Sequence, residues 1–281
     1  MITNKTLILI HCYDRVGLVA PISKVLANHE LNITAMREFV DESTNHFFAR
    51  IECAGSLDNP DLLYSELNKD LPQPTNIIIN PKPRKRIAVL VTKEYHCLAD
   101  ILIRNHFNTL GAEVCCVAGN YDKLESFTRR FDLPFHYISH ENKSKAEFEA
   151  ELRGALLPYQ PDYIILAKFM RILSPEFASD FSGRIINIHH SFLPAFIGAS
   201  PYRQAFERGV KLIGATAHFV TSDLDEGPII VQQTIPVNHT FGVNEMIKAG
   251  KEIEKAVLSK ALHLVFEDRV FITGNKTIIF E

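Results

Sequence analysis

The chain has 281 residues, of which 46% are hydrophobic and 22% charged, so it is long enough for two domains and can bury a sizeable core. Its 30 Lys and Arg residues nearly balance 33 Asp and Glu residues, which gives a net charge of −3. This balance provides no broad basic surface of the kind that nucleic acid or an anionic membrane attracts. The composition therefore predicts a protein that acts on a small molecule, with neither nucleic acid nor membrane as a partner.

The cysteines and histidines indicate a reducing compartment and no metal. The five cysteines are odd in number, form no Cys-x-x-Cys pair and lie mostly in apolar segments, as reduced core residues do. His189 and His190 are adjacent on a predicted strand and so point to opposite faces, and no His-Glu-x-x-His sequence occurs. The apolar run from Leu7 to Ile10 is too short for a secretion signal or a membrane span. We therefore predict a cytoplasmic protein without a metal site.

The first 80 residues alternate short strand and helix patterns in the order βαββαβ. This order is that of the ferredoxin-like fold, in which two helices cover one face of a four-stranded sheet. The predicted strands span residues 6–12, 32–40, 46–53 and 75–79, and the predicted helices span residues 18–29 and 59–69.

Two short segments of this region resemble those of the ACT domain, over residues 5–80. They are the loop that contains Asp14 and Gly17 and the start of the second strand at Asn32 and Ile33. The resemblance implies a regulatory domain that binds a small amino acid between two copies, near these four residues, and hence a homo-oligomer. Gly17 also lets backbone N–H groups near the helix start face a carboxylate. The alternative is an ordinary tight turn with a helix cap at Asp14.

Residues 81–86 read Pro-Lys-Pro-Arg-Lys-Arg and predict an extended, solvated linker, with a small nucleic-acid patch as the alternative. From residue 87 to residue 281, strands alternate with longer helices. This pattern predicts a second domain, with a doubly wound, mostly parallel, Rossmann-like α/β sheet covered by helices on both faces. The turn Lys93–His96 after its first strand lacks a Gly-x-Gly-x-x-Gly sequence, so no dinucleotide site is predicted.

An apolar run in this second domain ends in Asn187, Ile188 and His189, and a later block supplies Asp225 beside the turn residue Gly227. Because side chains alternate along a strand, Asn187 and His189 share one face. An amide, an imidazole and a carboxylate suit attack on a carbonyl carbon by water or an amine. Ser191 lacks the nucleophile-elbow sequence. Taken singly, each of these polar residues is better explained as a cap, Asn187 and His189 of the strand end and Asp225 of a turn.

Four motifs together resemble the formyltransferase fold of glycinamide ribonucleotide and methionyl-tRNA formyltransferases, over residues 84–281. They are Asn187-x-His189, the turn from Ser191 to Pro194, the block from Gly214 to Gly227, and the segment from Lys168 to Pro175. With the ACT-like domain and the run Asn-Ile-His-His-Ser-Phe-Leu-Pro-Ala-Phe from Asn187, the chain resembles the formyltetrahydrofolate deformylases.

The deformylase resemblance implies hydrolysis of 10-formyltetrahydrofolate to formate and tetrahydrofolate, which supplies formate for purine biosynthesis and balances the one-carbon folate pool. No cofactor is implied, since the folate is the substrate. The implied catalytic residues are Asn187, His189 and Asp225. The implied folate-pocket residues are Met170, Arg171, Leu173, Thr221 and Leu224, with His218 beside them in support of the catalytic residues.

Two other functions stay open at this point. A formyltransferase with a non-phosphorylated amine acceptor would share every motif of the second domain. A phosphorylated acceptor is disfavoured because the turn Lys93–His96 lacks the glycines with which the ribonucleotide transferases hold a phosphate. A folate or amino-acid sensor without catalysis is the remaining possibility.

Overall fold

A computed structural model describes residues 5–195 and 201–281 and divides the chain into two compact units. The first unit runs to Pro83 and includes Phe280–Glu281, and the second spans Arg84–Ile279. Lys85 and Arg86 were expected in the linker, but they are the first residues of a strand. Lys85 is buried there because its ammonium group pairs with Asp268 at 2.9 Å, which compensates the cost of burying a charge.

The first unit has the predicted ferredoxin-like order of elements. Its four strands form one antiparallel sheet in the order β2-β3-β1-β4. Alternate residues of β1, Ile8 and Ile10, face Leu26 and Leu63 of the two helices, which therefore cover one side of the sheet. The elements are β1 (Lys5–Tyr13), α1 (Val19–Asn28), β2 (Asn32–Asp41), β3 (His46–Ala54), α2 (Pro60–Asp70) and β4 (Asn76–Ile79).

The second unit contains a seven-stranded sheet in the order β11-β10-β9-β8-β5-β6-β7. The strands β5 to β9 pair in parallel, whereas β10 pairs antiparallel with both β9 and β11. The strands are β5 (Lys85–Val91), β6 (Ala112–Gly119), β7 (Phe135–Tyr137), β8 (Tyr163–Leu166), β9 (Ile185–His189), β10 (Leu212–Phe219), β11 (Ile229–Pro236), and the separate hairpin β12 (Val270–Thr273) with β13 (Lys276–Ile279).

Helices cover both faces of this sheet, which confirms the doubly wound, mostly parallel architecture. On β5, Ile87 and Val89 belong to one apolar cluster together with residues of α3 and α8, whereas Ala88 and Leu90 belong to a second cluster with residues of α5 and α6. A strand buried on both sides reads as one continuous apolar run, as this one does. The helices are α3 (His96–His106), α4 (Glu125–Arg129), α5 (Lys145–Leu156), α6 (Pro175–Asp180), α7 (Pro201–Arg208) and α8 (Val243–Phe266).

Two helices differ from the sequence-based expectation. The sequence pattern of residues 121–131 predicts one helix, but only α4 forms there, because the chain first makes a turn in which Glu125 N donates to Asp122 O at 2.9 Å. The short α6 was not expected, since six residues are too few to show helical periodicity. Its start is nevertheless marked by Ser174, whose hydroxyl accepts from Phe177 N at 3.1 Å, and by Pro175 at the first helical position. Among the described helices, none has the length and hydropathy needed to cross a membrane.

The two leucines at the start of α2 provide a test of the first unit's core. Leu63 is fully buried, whereas its neighbour Leu62 is 47% exposed. Replacing Leu63 with Ala should lower the free energy of unfolding of this unit by about 2–5 kcal/mol, because a cavity is left in the core. The matched change Leu62→Ala should alter the free energy of unfolding by no more than about 0.5 kcal/mol. Urea unfolding of both variants measures the difference, and equal losses would contradict this packing.

Candidate active site

The backbone ladder between β9 and β10 brings the first site residues together. The register pairs His218 with Asn187 and Thr216 with His189. Directly opposed residues in an antiparallel pair share one face of the sheet. The Nδ2 atom of Asn187 accordingly lies 3.1 Å from Nε2 of His218, and both His189 and His218 are buried.

The loop after β10 returns Asp225 to this face. It closes where Phe219 N donates to Pro228 O at 2.9 Å. Gly227 is required here, since a Cβ atom at that position would overlap the carbonyl oxygen of Phe219. Asp225 itself adopts a left-handed conformation with φ of 57°, which Asp tolerates better than most residues.

The carboxylate of Asp225 lies between two imidazoles. Its Oδ1 atom is 3.3 Å from Nδ1 of His189 and 3.6 Å from Nε2 of His218. Partial burial, the largest single influence, would raise the pKa of Asp225, but the hydrogen bonds and charges of the two histidines together hold it well below its usual range. The site therefore contains an ionised carboxylate at neutral pH.

The hydrogen bonds around His218 define which groups remain available. Nδ1–H of His218 donates to the carbonyl oxygen of Phe219 at 2.9 Å, and with the proton on Nδ1, Nε2 accepts one N–H of the Asn187 amide at 3.1 Å. The second amide N–H of Asn187 is left for a ligand. With Nδ1 of His189 turned towards Asp225, its Nε2 atom has no partner among the described residues. An amide donor and an imidazole nitrogen are thus free to act on one bound group.

Ser191 does not supply a nucleophile in this arrangement. It is buried, and its hydroxyl donates to the carbonyl oxygen of Ala195 at 2.5 Å. The deformylase-like run that begins at Asn187 ends at Phe196, which lies outside the described residues.

All nine predicted catalytic and folate-pocket residues line one cavity of about 320 Å³. Three apolar side chains of its wall, Met170, Ile172 and Leu224, are each more than half exposed. Exposed apolar groups beside a few convergent polar groups are typical of a small-molecule site. The predicted residues in the lining are Asn187, His189, Asp225, Met170, Arg171, Leu173, Thr221, Leu224 and His218.

Several charged or polar residues beside this cavity were not assigned a role from the sequence. His190 lines it, and burial, helped by Lys168 and His189, lowers the pKa of His190 to about 4, so the ring is neutral at pH 7. Lys168 also lines it and contacts Glu254 of α8 at 3.3 Å. A sequence signal for Glu254 existed: it falls on the same helical stripe as the buried Met246, Ile253 and Val257, where a charge is unusual.

Among the described residues, His96, Cys97 and Glu254 have possible metal-ligand atoms within 4.8 Å of one another. The ammonium group of Lys168 lies 3.3 Å from the Glu254 carboxylate, and burial raises the pKa of the Cys97 thiol. A neutral thiol and a carboxylate already paired with a cation are poor ligands for a further cation. His96 and Glu254 instead form a buried hydrogen bond of 2.6 Å with each other.

The four predicted effector residues lie in the first unit. Asp14 and Gly17 follow β1 at the end of the strands where Tyr13 pairs with His46. Asn32 and Ile33 begin β2 at the opposite end of the strands, beside Ala54 and Cys53. A single copy therefore does not bring these four residues together, and a site made of all four needs two copies. Effector binding stays a prediction.

Gly227 provides a test of the loop that carries Asp225. Gly227→Ala should lower the melting temperature of the second unit, because the new methyl group displaces the carbonyl of Phe219. The control Gly154→Ala places a methyl group in open space on α5 and should stabilise the unit by up to about 1 kcal/mol. Calorimetric melting of the two variants decides the point, and a Gly227→Ala protein as stable as wild type would exclude this close approach.

Comparison with known proteins agrees with the geometry. The Formyl transferase family matches residues 85–262. The chain is 50% identical to the formyltetrahydrofolate deformylase of Haemophilus influenzae over 276 residues, covering 98% of this chain and 99% of the relative. It is 51% identical to the deformylase of Escherichia coli over 268 residues, covering 95% of each chain.

Solved structures give the same result. The crystal structure of formyltetrahydrofolate deformylase from Burkholderia mallei is similar with a TM-score of 0.92 and 34% identity, covering 99% of each chain. Glycinamide ribonucleotide transformylase 1 from Symbiobacterium toebii is similar with a TM-score of 0.68 and 32% identity, covering 72% of this chain and 96% of that protein. The similarity to the deformylases therefore extends over both units, and the chain belongs to the formyltetrahydrofolate deformylase family.

Proposed function

We propose that the protein hydrolyses 10-formyltetrahydrofolate to formate and tetrahydrofolate, and so supplies formate for purine biosynthesis and balances the one-carbon folate pool. The observation that carries this proposal is the convergence of Asn187, His189 and Asp225 on one cavity in a chain of this family. The engaged hydroxyl of Ser191 supports water as the attacking group.

In the proposed mechanism, Asp225 orients the water that attacks the formyl carbon. Its carboxylate is ionised and lies beside the two histidines, so it can accept a hydrogen bond from that water. The low pKa makes it a weak base in the resting protein, which favours an orienting function over complete proton abstraction before attack.

Asn187 and His189 act on the tetrahedral intermediate. The free amide N–H of Asn187 donates to the oxyanion that forms on the formyl oxygen, and His189 stabilises that charge. As the water oxygen bonds to the formyl carbon, a proton of that water passes to Nε2 of His189, which then delivers it to N10 as the carbon–nitrogen bond breaks. The oxygen of formate and the proton gained by N10 both come from water, and the folate is the substrate, so the proposed mechanism includes no separate cofactor.

The wall formed by Met170 to Leu173 and the loop from Thr221 to Asp225 accommodate the pterin ring. The exposed apolar side chains of the wall suit a flat heterocycle, and the backbone groups of the two segments offer that heterocycle hydrogen bonds. His218 supports the catalytic residues through its hydrogen bond with Asn187.

The turn at Lys93 favours water, or at most an unphosphorylated amine, as the acceptor. Glu94 pairs with Lys251 at 2.6 Å, and the ammonium group of Lys93 lies over the ring of Tyr121 at 3.9 Å. A carboxylate at this turn repels a phosphate, and the nearby ammonium groups already have partners.

We also propose that the first unit binds a small amino acid between two copies, near Asp14 and Gly17 of one and Asn32 and Ile33 of the other. The two pairs of residues lie at opposite ends of the strands of one sheet, and this supports a site shared between two copies. This arrangement makes the protein a homo-oligomer. The five cysteines are all buried and unpaired, which fits a cytoplasmic enzyme.

Hydrolysis is tested with the pure protein and 10-formyltetrahydrofolate in the absence of any amine. Formate and tetrahydrofolate should appear in equal amounts. Release that requires an added amine would identify a transferase instead. Asn187→Ala should lower kcat about 10²–10³-fold, because one donor to the oxyanion is lost. Asp225→Asn should abolish turnover, and a folded Asn187→Ala protein with unchanged turnover would remove Asn187 from the mechanism.

Effector binding is tested by calorimetry with the common amino acids, combined with sedimentation to measure the oligomer. We expect one amino acid to bind and to change the rate of formate release, and Gly17→Val to weaken that binding without unfolding the protein, since a Cβ atom there meets no other group but the φ of 88° disfavours it. If no amino acid binds or alters the rate, the first unit has no such regulatory site.

A further inference from the structure

The carboxylate of Glu254 is contacted by residues from three other parts of the second unit. It is 1% exposed and accepts hydrogen bonds from Nε2 of His96 at 2.6 Å, from the hydroxyl of Tyr202 at 2.6 Å and from the ammonium group of Lys168 at 3.3 Å. His96 begins α3, Tyr202 lies on α7, and Lys168 follows β8. We call these four residues the Glu254 cluster.

The buried negative charge of Glu254 is stabilised by its three partners acting together. Burial by itself would raise the pKa of Glu254, but the hydrogen bond from His96, the charge of Lys168 and the hydrogen bond from Tyr202 together lower it to about 2. Removal of one partner of a buried pair leaves an uncompensated charge, which is far more costly than replacing both partners. Glu254 therefore holds Lys168 in one place.

Lys168 also lines the cavity and immediately precedes the wall segment from Phe169 to Leu173. Its backbone is left-handed, with φ of 63°, a conformation that a long side chain adopts at a cost of about 1 kcal/mol or more. The next residue but one, Met170, is fixed through its N–H, which donates to the hydroxyl of Thr92 at 2.8 Å. The turn at Lys168 therefore sets the direction in which residues 169–173 leave the sheet.

Gly250 allows the ring of Tyr202 to approach Glu254 closely. It lies inside α8, one helical turn before Glu254, where glycine is unfavourable by about 1 kcal/mol relative to alanine. A Cβ atom at Gly250 would overlap the ring of Tyr202. The glycine thus leaves room for the ring whose hydroxyl reaches Glu254.

A second buried ion pair of the same unit offers a comparison. Lys85 and Asp268 lie 2.9 Å apart, and Lys85 is the first residue of β5, at the amino edge of the sheet. Neither residue lines the cavity. This pair resembles the pair of Lys168 and Glu254 in charge and burial.

We propose that Lys168 and Glu254 are positioning residues for the folate pocket: the buried carboxylate holds the left-handed turn at Lys168 and thereby places the wall from Phe169 to Leu173 for substrate binding. This inference rests on the proposed function. His96 and Tyr202 hold the carboxylate of Glu254 in the orientation that Lys168 requires.

The test compares Lys168→Met, Glu254→Gln and the double variant with the control Asp268→Asn. For each protein, kcat and KM are measured with 10-formyltetrahydrofolate, the dissociation constant of tetrahydrofolate by calorimetry, and the melting temperature. The single variants should raise KM and the dissociation constant roughly tenfold or more, the size expected for a lost charged hydrogen bond, with a smaller change in kcat. The double variant should raise KM and the dissociation constant no more than the more impaired single variant does, because the two residues act through one contact.

The control separates positioning from general stability. Asp268→Asn should lower the melting temperature and leave KM and tetrahydrofolate binding unchanged. If the Lys168 and Glu254 variants behave like this control, or if their effects add, the positioning role is wrong. Should the single variants fail to fold, Tyr202→Phe removes one hydrogen bond to Glu254: weaker tetrahydrofolate binding supports the role, and unchanged binding overturns it.

The two proposals can fail independently. A wild-type protein that releases no formate would overturn the proposed hydrolysis. Binding of tetrahydrofolate requires no turnover, so its dissociation constants still decide whether Lys168 and Glu254 position the pocket.

Discussion

Antiparallel pairing between β9 and β10 is the constraint on which the active site depends. The register sets His218 opposite Asn187, so an amide and an imidazole meet on one face of the sheet without help from a flexible segment. A slip of one residue would turn His218 to the other face and expose Ala217 or Phe219 in its place. Asp225 is the one catalytic group on a loop, and the tight closure at Gly227 limits the freedom of that loop.

The two carboxylates of this region differ in burial and in position. Asp225 lies between two imidazoles and lines the cavity, whereas Glu254 is buried against Lys168, His96 and Tyr202 and does not line it. Asp225 can therefore contact a bound substrate directly, whereas Glu254 can affect the substrate only through Lys168. Glu254 and Lys168 contribute a fixed charge pair and a fixed wall, which precise placement of a substrate requires.

The sequence was sufficient where the evidence is local. Alternation along residues 185–189 predicted that Asn187 and His189 share a face, and apolar runs between helical patterns predicted the sheet. The family resemblance supplied the residues of the cavity wall. Sequence patterns could not show that Lys168 reaches Glu254, because 86 residues separate them and only the packing of α8 against the sheet joins them. The requirement for Gly227 is equally invisible, since it arises from one carbonyl oxygen across a closed loop.

The exposed apolar wall of the cavity has a thermodynamic consequence. Met170, Ile172 and Leu224 keep more than half of their surface in contact with water when the cavity is empty. A pterin that covers them removes this apolar surface from water, and burial of apolar surface lowers the heat capacity of the system. Folate binding should therefore become more exothermic as temperature rises, so the balance of enthalpy and entropy that holds the ligand shifts with temperature while the affinity changes little.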